Sequence, residues 1–190
     1  CGSCLLFFRR PDGGGARMVA ALFTKDPPDP LNGDTNDIRV IRYASATGDN
    51  VVEGSYDSGG DEKPWTMGVD NAGNIYGAGR NRIMGSDYRF LLLKFTPGGG
   101  VDNVATKAYT GGSVAKFLSF EGTDNVVIVG DSGNGTDTDV SLVKFRMSDL
   151  AELGGSDFDS GGNDSVRAIA TDSLGRLLVL ANEGNDNVVL

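Results

Sequence analysis

The stretch "VDNAGNIYGAGRN", Val69 to Asn81, contains a tight turn between two runs of residues that favour β-strands. Similar text returns 102 positions later as "TDSLGRLLVLANE", Thr171 to Glu183. In both copies an acid precedes the turn, a glycine lies within it and an apolar run follows, which is typical of a hairpin. One hairpin at two places in the chain predicts a repeat architecture.

Equivalent turn acids give the length of the repeat. Asp70, Glu121 and Asp172 follow one another at intervals of 51 residues, and Asp12 occupies the turn of a first copy with a longer loop. Nine residues after Asp70, Glu121 and Asp172, each apolar run ends in a small residue. These small residues are Gly79, Gly130 and Ala181. We interpret these small residues either as a response to crowding near a central axis or as ordinary strand-end turns.

Short apolar runs bounded by Gly, Asp and Asn predict four strands per unit, and no stretch has the pattern of an amphipathic helix. The predicted strands are 4–9, 16–24, 38–43, 51–56, 65–70, 74–79, 88–96, 104–109, 114–120, 125–130, 140–146, 150–158, 166–171, 176–181 and 187–190. A four-stranded unit of about 50 residues cannot bury both of its faces alone, whereas units packed around an axis bury them.

The fold class expected is therefore all-β, a β-propeller-like arc of about four four-stranded antiparallel blades with the last blade incomplete. Residues 1–190 form one partial propeller domain, with blades at approximately 1–57, 58–110, 111–160 and 161–190. Because "DNVVL" ends the sequence after three strands of the fourth unit, three interpretations stay open. The chain is a fragment of a longer propeller, or pairs with a second copy, or closes alone with a borrowed strand. We rank them in that order.

The segment "DSGGNDSVRAIATDSLGRLLVLANEGNDNVVL" resembles the bacterial delta-60 and SBBP β-propeller repeats. The residues that carry the resemblance are Phe158, Gly161, Gly162, Asp172, Gly175 and Leu177–Val179, with Asp139 and Lys144–Phe145 in another unit. It extends over nearly the whole chain and is clearest from Asp57 to Leu190. The resemblance implies a secreted or surface-attached bacterial protein and supplies no catalytic residues.

Composition excludes several function classes. Lys and Arg number 17 against 26 Asp and Glu, and the net charge of -9 argues against nucleic acid and anionic membranes as partners. There is no histidine, so a Ser-His-Asp or Cys-His catalytic group cannot form within one chain. No apolar run approaches the roughly 20 residues of a transmembrane helix.

The 51-residue period and the absence of histidine favour a non-enzymatic scaffold or binding module, with no catalytic residues and a protein or glycan ligand on loops at one end of the propeller. The resemblance implies that this module is extracellular. A structural subunit of a surface ring or filament is one alternative, because an open blade edge at Val188–Leu190 would favour self-association. A carbohydrate-active hydrolase is the other, and it needs two carboxylates that converge at the axis.

The loop "DSGNGTDTD" holds the candidate metal ligands, which are Asp131, Asp137 and Asp139. Carboxylates and carbonyls are the oxygen ligands that Ca²⁺ takes, so calcium is the one ion we consider. The spacing does not match a calcium-binding EF-hand loop. Turns in which the carboxylate accepts a hydrogen bond from the backbone two residues on explain the same acids, and we favour that explanation.

Two further features are single residues or short motifs. In "CGSC", Cys1 is a candidate lipid attachment site, since Cys-Gly begins mature bacterial lipoproteins. We favour the alternative that Cys1 and Cys4 are two passive thiols. The chain has too few Cys and His residues for a structural zinc site.

Trp65 aligns with Phe117 and with Val166 or Arg167 of later units. We expect it to pack between blades, with stacking against a ligand at the propeller mouth as the alternative.

Overall fold

A computed structural model describes the backbone of residues 6–9, 18–24, 37–43, 50–83, 85–183 and 186–189, and the side chains of 37–42, 54–83 and 85–183. These residues form fifteen β-strands and no helix. None of them belongs to a helix of the length and apolarity that crossing a bilayer requires. Cys1, Cys4, Asp12 and Leu190 lie outside the described residues.

The strands form four antiparallel sheets in which each strand pairs with the next along the chain. Blade 1 contains β1 (Leu6–Arg9), β2 (Met18–Thr24), β3 (Asp37–Tyr43) and β4 (Asn50–Tyr56). Blade 2 contains β5 (Asp61–Val69), β6 (Ile75–Arg82), β7 (Arg89–Phe95) and β8 (Val101–Lys107). Blade 3 contains β9 (Ser113–Glu121), β10 (Asn125–Gly133), β11 (Thr138–Arg146) and β12 (Glu152–Phe158). Blade 4 contains β13 (Asp164–Thr171), β14 (Leu177–Glu183) and β15 (Asp186–Val189).

Successive blades pack face to face. The first strands contact one another in order, β1 with β5, β5 with β9 and β9 with β13, so they lie innermost. The last strands of blades 2 and 3, β8 and β12, are largely exposed at the outside. The fold class predicted from the sequence is confirmed: the protein is all-β, with four antiparallel sheets in a propeller-like arrangement and a three-stranded fourth sheet.

Strand β7 shows how each central sheet buries both faces. Phe90 and Leu92 belong to the apolar cluster between blades 2 and 3, and Leu91 and Leu93 belong to the cluster between blades 1 and 2. All four side chains are fully buried. Because neighbouring residues of a strand point to opposite faces, a continuous apolar run is what a strand between two other blades requires. Each such side chain stabilises the fold by about 1.5–3 kcal/mol.

A β-bulge recurs in the first strand of blades 2, 3 and 4. In blade 2, Pro64 pairs with Gly79 and Thr66 pairs with Ala78, which leaves Trp65 as the extra residue. The register skips Lys116 in blade 3 and Arg167 in blade 4 in the same way. Trp65, Lys116 and Arg167 are 51 residues apart and are therefore equivalent. A bulge increases local twist and turns its extra side chain away from the regular alternation.

This register corrects two expectations about Trp65. Its equivalent in blade 3 is Lys116 rather than Phe117, and in blade 4 it is Arg167, one of the two residues expected there. The prediction that Trp65 packs between blades is wrong, since 42% of the residue is exposed. The cause is the bulge, which the apolar pattern of the sequence does not reveal.

The small residues of the repeat lie opposite these bulges. A Cβ atom on Gly79 would lie 2.0 Å from the carbonyl oxygen of Lys63, and one on Gly130 would lie 2.0 Å from that of Val114. Both glycines are within strands, so the strand-end turn interpretation is wrong. The crowding comes from the backbone of the bulge in the neighbouring strand, and Ala181 occupies the equivalent position in blade 4.

Candidate functional site

A cavity of about 460 Å³ lies where blades 2 and 3 meet, at the end of the molecule that carries the β6–β7 and β10–β11 loops. Its lining is polar and rich in glycine, and includes Arg80, Tyr88, Ser113, Asp131, Thr136 and Asn163. This is the kind of place, loops at one end of the propeller, where we expected a ligand. Its volume lies within the range of pockets that hold small molecules.

Backbone hydrogen bonds between connections hold the cavity wall in place. The N–H of Ser113 donates to the carbonyl of Tyr88 (2.8 Å), and the N–H of Gly133 donates to the carbonyl of Gly112 (2.7 Å). In the β10–β11 loop, the side-chain oxygen of Asn134 accepts from the N–H of Thr136 (2.8 Å). Several connections that are hydrogen-bonded to one another therefore form the cavity wall, rather than one loop alone.

Asp131 lines the cavity but is committed to a contact between blades 3 and 4. Its carboxylate pairs with Lys116 and accepts hydrogen bonds from Ser165 Oγ (2.9 Å) and the N–H of Val166 (2.9 Å). These donors explain why an acid is tolerated at a position that is mostly buried. Asp131 serves the packing of blades and stands apart from the other two candidate metal ligands.

Asp137 and Asp139 do converge, and the third acid beside them is Asp159. One carboxylate oxygen of each lies within 4.8 Å of the other two. Asn134 Nδ2 donates to both oxygens of Asp139, at 3.2 and 3.0 Å. The sequence set of Asp131, Asp137 and Asp139 is thus corrected at one member, because Asp159 reaches the loop from the connection that follows β12. Calcium at this acidic group stays a prediction.

Burial raises the pKa of Asp139 above its ordinary value, and the carboxylates of Asp159, Asp137 and Asp164 raise it further, while the hydrogen bond from Asn134 lowers it. Only 7% of Asp139 is exposed. Among the described residues, none of these four acids has an ion-pair partner. Repulsion between these carboxylates therefore destabilises the fold at neutral pH unless a cation binds among them.

A second acidic group is formed by Asp37, Asp57 and Glu62, which lie 102 residues before Asp139, Asp159 and Asp164. Asp57 and Asp159 are equivalent, and each accepts a hydrogen bond of 2.6 Å from the N–H two residues on. The favoured explanation of these acids as turn formers therefore fits this pair. The recurrence of "DSGG" was the signal in the sequence for Asp159, which we did not include among the candidate ligands.

Asp139→Asn should raise the melting temperature at neutral pH, because it removes a charge that is buried among other carboxylates. The folded pKa exceeds the unfolded value of about 3.9, so Asp139 costs no stability below that pH and destabilises as pH rises through the folded pKa. The gain should therefore vanish below about pH 3.9. Thermal melts between pH 3 and 8 measure it.

Asp149→Asn is the matched control with the opposite sign. The N–H of Ala151 donates to Asp149 (3.1 Å) and is the main cause of its lowered pKa, with Arg146 beside it. Its ionised form therefore stabilises the fold above the unfolded pKa and loses that effect as pH falls. The Asp149 variant should melt lower than the parent chain at neutral pH, and a lower melting temperature for Asp139→Asn as well would contradict the interpretation.

Arg80 is the cationic residue of the cavity, and the sequence analysis did not single it out. Its guanidinium carbon lies 3.9 Å from the ring centroid of Tyr88 and 5.4 Å from that of Trp65. Its buried Nε has no hydrogen-bond partner, and no carboxylate of the described residues lies within ion-pair distance. Arg80 as a residue is half-buried, and its charge has no acidic partner among the described residues, so its guanidinium has unused capacity for an anion.

Tyr88 is held in place beside Arg80. Its hydroxyl donates to Asp61 Oδ2 (2.9 Å), and Arg82 lies over the same ring at 4.8 Å from the centroid. Burial is the main cause that raises the pKa of Tyr88, followed by the hydrogen bond to Asp61. Tyr88 therefore stays neutral at physiological pH, and its ring packs against the guanidinium groups of Arg80 and Arg82.

Comparisons with known proteins leave the family open. No protein-family model matches the chain, and no curated protein matches it in sequence. The structure is similar to that of an endo-arabinase from Bacteroides thetaiotaomicron VPI-5482, with a TM-score of 0.52 and 13% sequence identity. The match covers 97% of this chain and 72% of the endo-arabinase chain. At that identity the similarity shows the fold alone, which is that of a propeller-like all-β protein.

Proposed function

We propose that this protein is a non-enzymatic binding module of the cell surface or extracellular space, and that its ligand binds in the cavity between blades 2 and 3. The observation that carries the proposal is the guanidinium of Arg80, which lines the cavity without an acidic partner, next to an exposed Trp65. Binding sites combine a few unsatisfied polar groups with aromatic surface in a concave place of this size.

The location is proposed from the resemblance to delta-60 and SBBP repeats, with Cys1 as the candidate for lipid attachment. A glycan is favoured over a protein as the ligand, because the cavity is concave and small, whereas a stable protein interface needs about 1,000 Å² or more. The polar lining of Ser113, Thr136 and Asn163 offers hydrogen bonds of the kind that sugar hydroxyls make.

Two acids, Asp131 and Asp137, line the cavity, which is what the alternative of a carbohydrate-active hydrolase requires. Glycoside hydrolysis needs one carboxyl that stays protonated and one that is free to act as base or nucleophile. Asp131 is instead held by a lysine and two neutral donors. This arrangement favours binding over hydrolysis.

A structural subunit of a surface ring or filament stays an alternative predicted from the sequence. Self-association of the chain is compatible with binding in the cavity.

Thr136→Trp should abolish ligand binding, because an indole at this position of the β10–β11 loop fills the cavity. The matched control is Leu174→Trp, which adds an indole at a turn residue that is 75% exposed at the opposite end of the blade. A glycan array probed with the labelled chain and both variants is the measurement. Binding that survives Thr136→Trp, no glycan bound, or release of new reducing ends from a bound glycan would each contradict the proposal.

A further inference from the structure

In blades 2, 3 and 4 the bulge residue contacts a residue fifteen positions later, on the second strand of the same blade. In blade 3, Lys116 pairs with Asp131. In blade 4, Arg167 Nε donates to Asn182 Oδ1 (2.9 Å). In blade 2, the equivalent residues are Trp65 and Arg80, which make a cation–π contact.

The order of the pair is reversed in blade 2. Blades 3 and 4 have the cation on the bulge and the oxygen acceptor on the second strand. Blade 2 has an aromatic residue on the bulge and the cation on the second strand. Arg80 therefore occupies the position that an acceptor occupies in the other two blades.

That acceptor has a second role in blade 3. Asp131 also accepts from Ser165 Oγ and the N–H of Val166, both in the first strand of blade 4. The residues of blade 3 at the corresponding positions, 51 earlier, are Val114 and Ala115. Arg80 cannot accept a hydrogen bond, so the contact that closes the junction of blades 3 and 4 has no counterpart at the junction of blades 2 and 3. The cavity lies at this junction, and Arg80 and Val114 line it.

We propose that the carboxylate of an acidic saccharide takes this acceptor position and binds to Arg80. A guanidinium binds a carboxylate through two parallel N–H···O bonds, which gives both affinity and orientation. The chain has a net charge of -9, so selection of an anion has to come from a local cation. This inference rests on the proposed function, since it names the class of ligand for the same cavity.

The groups in and beside the cavity favour a sugar acid over a free inorganic anion. Trp65 lies next to Arg80 and is 42% exposed, and an exposed aromatic face packs against the C–H face of a sugar ring. Asp137 lines the cavity; it would repel a bare anion but accepts a hydrogen bond from a sugar hydroxyl. A uronic acid residue satisfies the cation, the aromatic face of Trp65 and the acid together.

The experiment is a titration calorimetry series on the intact chain with oligogalacturonate, oligoglucuronate, their neutral galactose and glucose counterparts, sodium acetate and sodium phosphate. We expect the acidic oligosaccharides to bind at least tenfold more tightly than their neutral counterparts, acetate or phosphate. Arg80→Gln should weaken the acidic oligosaccharides at least tenfold and leave the neutral ones within about twofold. Arg146→Gln, with the same change of charge at the opposite end, should leave all affinities unchanged.

A double variant, Trp65→Lys with Arg80→Asp, copies the pair of blade 3 into blade 2. It should fold, as a melting curve at least as high as that of the parent chain would show, and should lose the acidic oligosaccharides because its own carboxylate occupies the acceptor position. Equal affinity for neutral and acidic oligosaccharides overturns this inference and leaves the proposed function standing. If acetate or phosphate binds as tightly as the acidic oligosaccharides, the ligand is not a saccharide and this inference is overturned. If no saccharide binds, both this inference and the proposed function are contradicted.

Discussion

Gly79→Ala should destabilise the fold by about 1–3 kcal/mol, the usual cost of forcing an extra methyl group into a packed interior. The new Cβ would lie 2.0 Å from the carbonyl oxygen of Lys63 and 2.7 Å from Cα of Pro64. Both are backbone atoms of the bulge in β5, so no side-chain rotation relieves the contact. Urea denaturation followed by circular dichroism measures the change in the free energy of unfolding.

Gly77→Ala is the matched control, two residues earlier on the same face of the same strand. A Cβ at Gly77 meets no heavy atom within 4 Å. This variant should be neutral or more stable by about 0.4–1 kcal/mol, because alanine restricts the unfolded chain more than glycine does. Equal losses for Gly77→Ala and Gly79→Ala would show that the bulge is not the cause.

Blade 4 shows that a methyl group can be accommodated at this position, since Ala181 lies opposite the bulge at Arg167. A bulge can therefore open enough to admit one methyl group. The loss in Gly79→Ala reflects how far blade 2, which is packed on both faces, resists that adjustment.

The architecture followed from the sequence because each level of the repeat gives the same answer. The turn acids set the period, and Asp70 and Asp172 do form the hairpins: Asp70 accepts from the N–H of Asn74, and Asp172 accepts from that of Arg176. Apolar runs such as Leu91–Leu93 indicate strands with both faces covered. Hairpin chemistry and burial are local properties, which a sequence displays directly.

The candidate site was less accessible from the sequence for a physical reason. A bulge adds one residue without a distinctive composition, so the sequence predicted the wrong equivalent in blade 3 and the wrong burial for Trp65. Arg80 is an ordinary strand residue when considered alone. Its position becomes informative only when Arg80 is compared with Asp131 and Asn182, which the strand register shows to be the equivalent residues of blades 3 and 4. Similarly, Asp159 lies beside Asp139 because β11 pairs with β12 and places Val140 opposite Phe158, and spacing along the loop gives no sign of it.

Asp131→Ala should cost about 2–3 kcal/mol, somewhat below the usual 3–5 kcal/mol for breaking a fully buried pair. The side chains of Lys116 and Asp131 are 22% and 15% exposed, so solvent screens the pair only partly. The substitution leaves Lys116 without its counter-charge and removes the acceptor for Ser165 Oγ and the N–H of Val166. Urea denaturation is the measurement, and Asp131→Asn should cost less because its amide oxygen keeps an acceptor for Val166.

The chain offers a matched pair between blades 2 and 3, in which Lys107 Nζ lies 2.7 Å from Glu152 Oε1 with side chains 36% and 39% exposed. Glu152→Ala should cost less than 1 kcal/mol, because water screens exposed pairs and solvates either partner when the other is removed. Both acids link neighbouring blades, so the difference isolates burial and the two additional donors at Asp131. Similar losses of unfolding free energy in Asp131→Ala and Glu152→Ala would show that the carboxylate of Asp131 does not close the junction of blades 3 and 4. Arg80 would then not occupy the position of an acceptor that closes a junction, and the carboxylate site proposed at Arg80 would be contradicted.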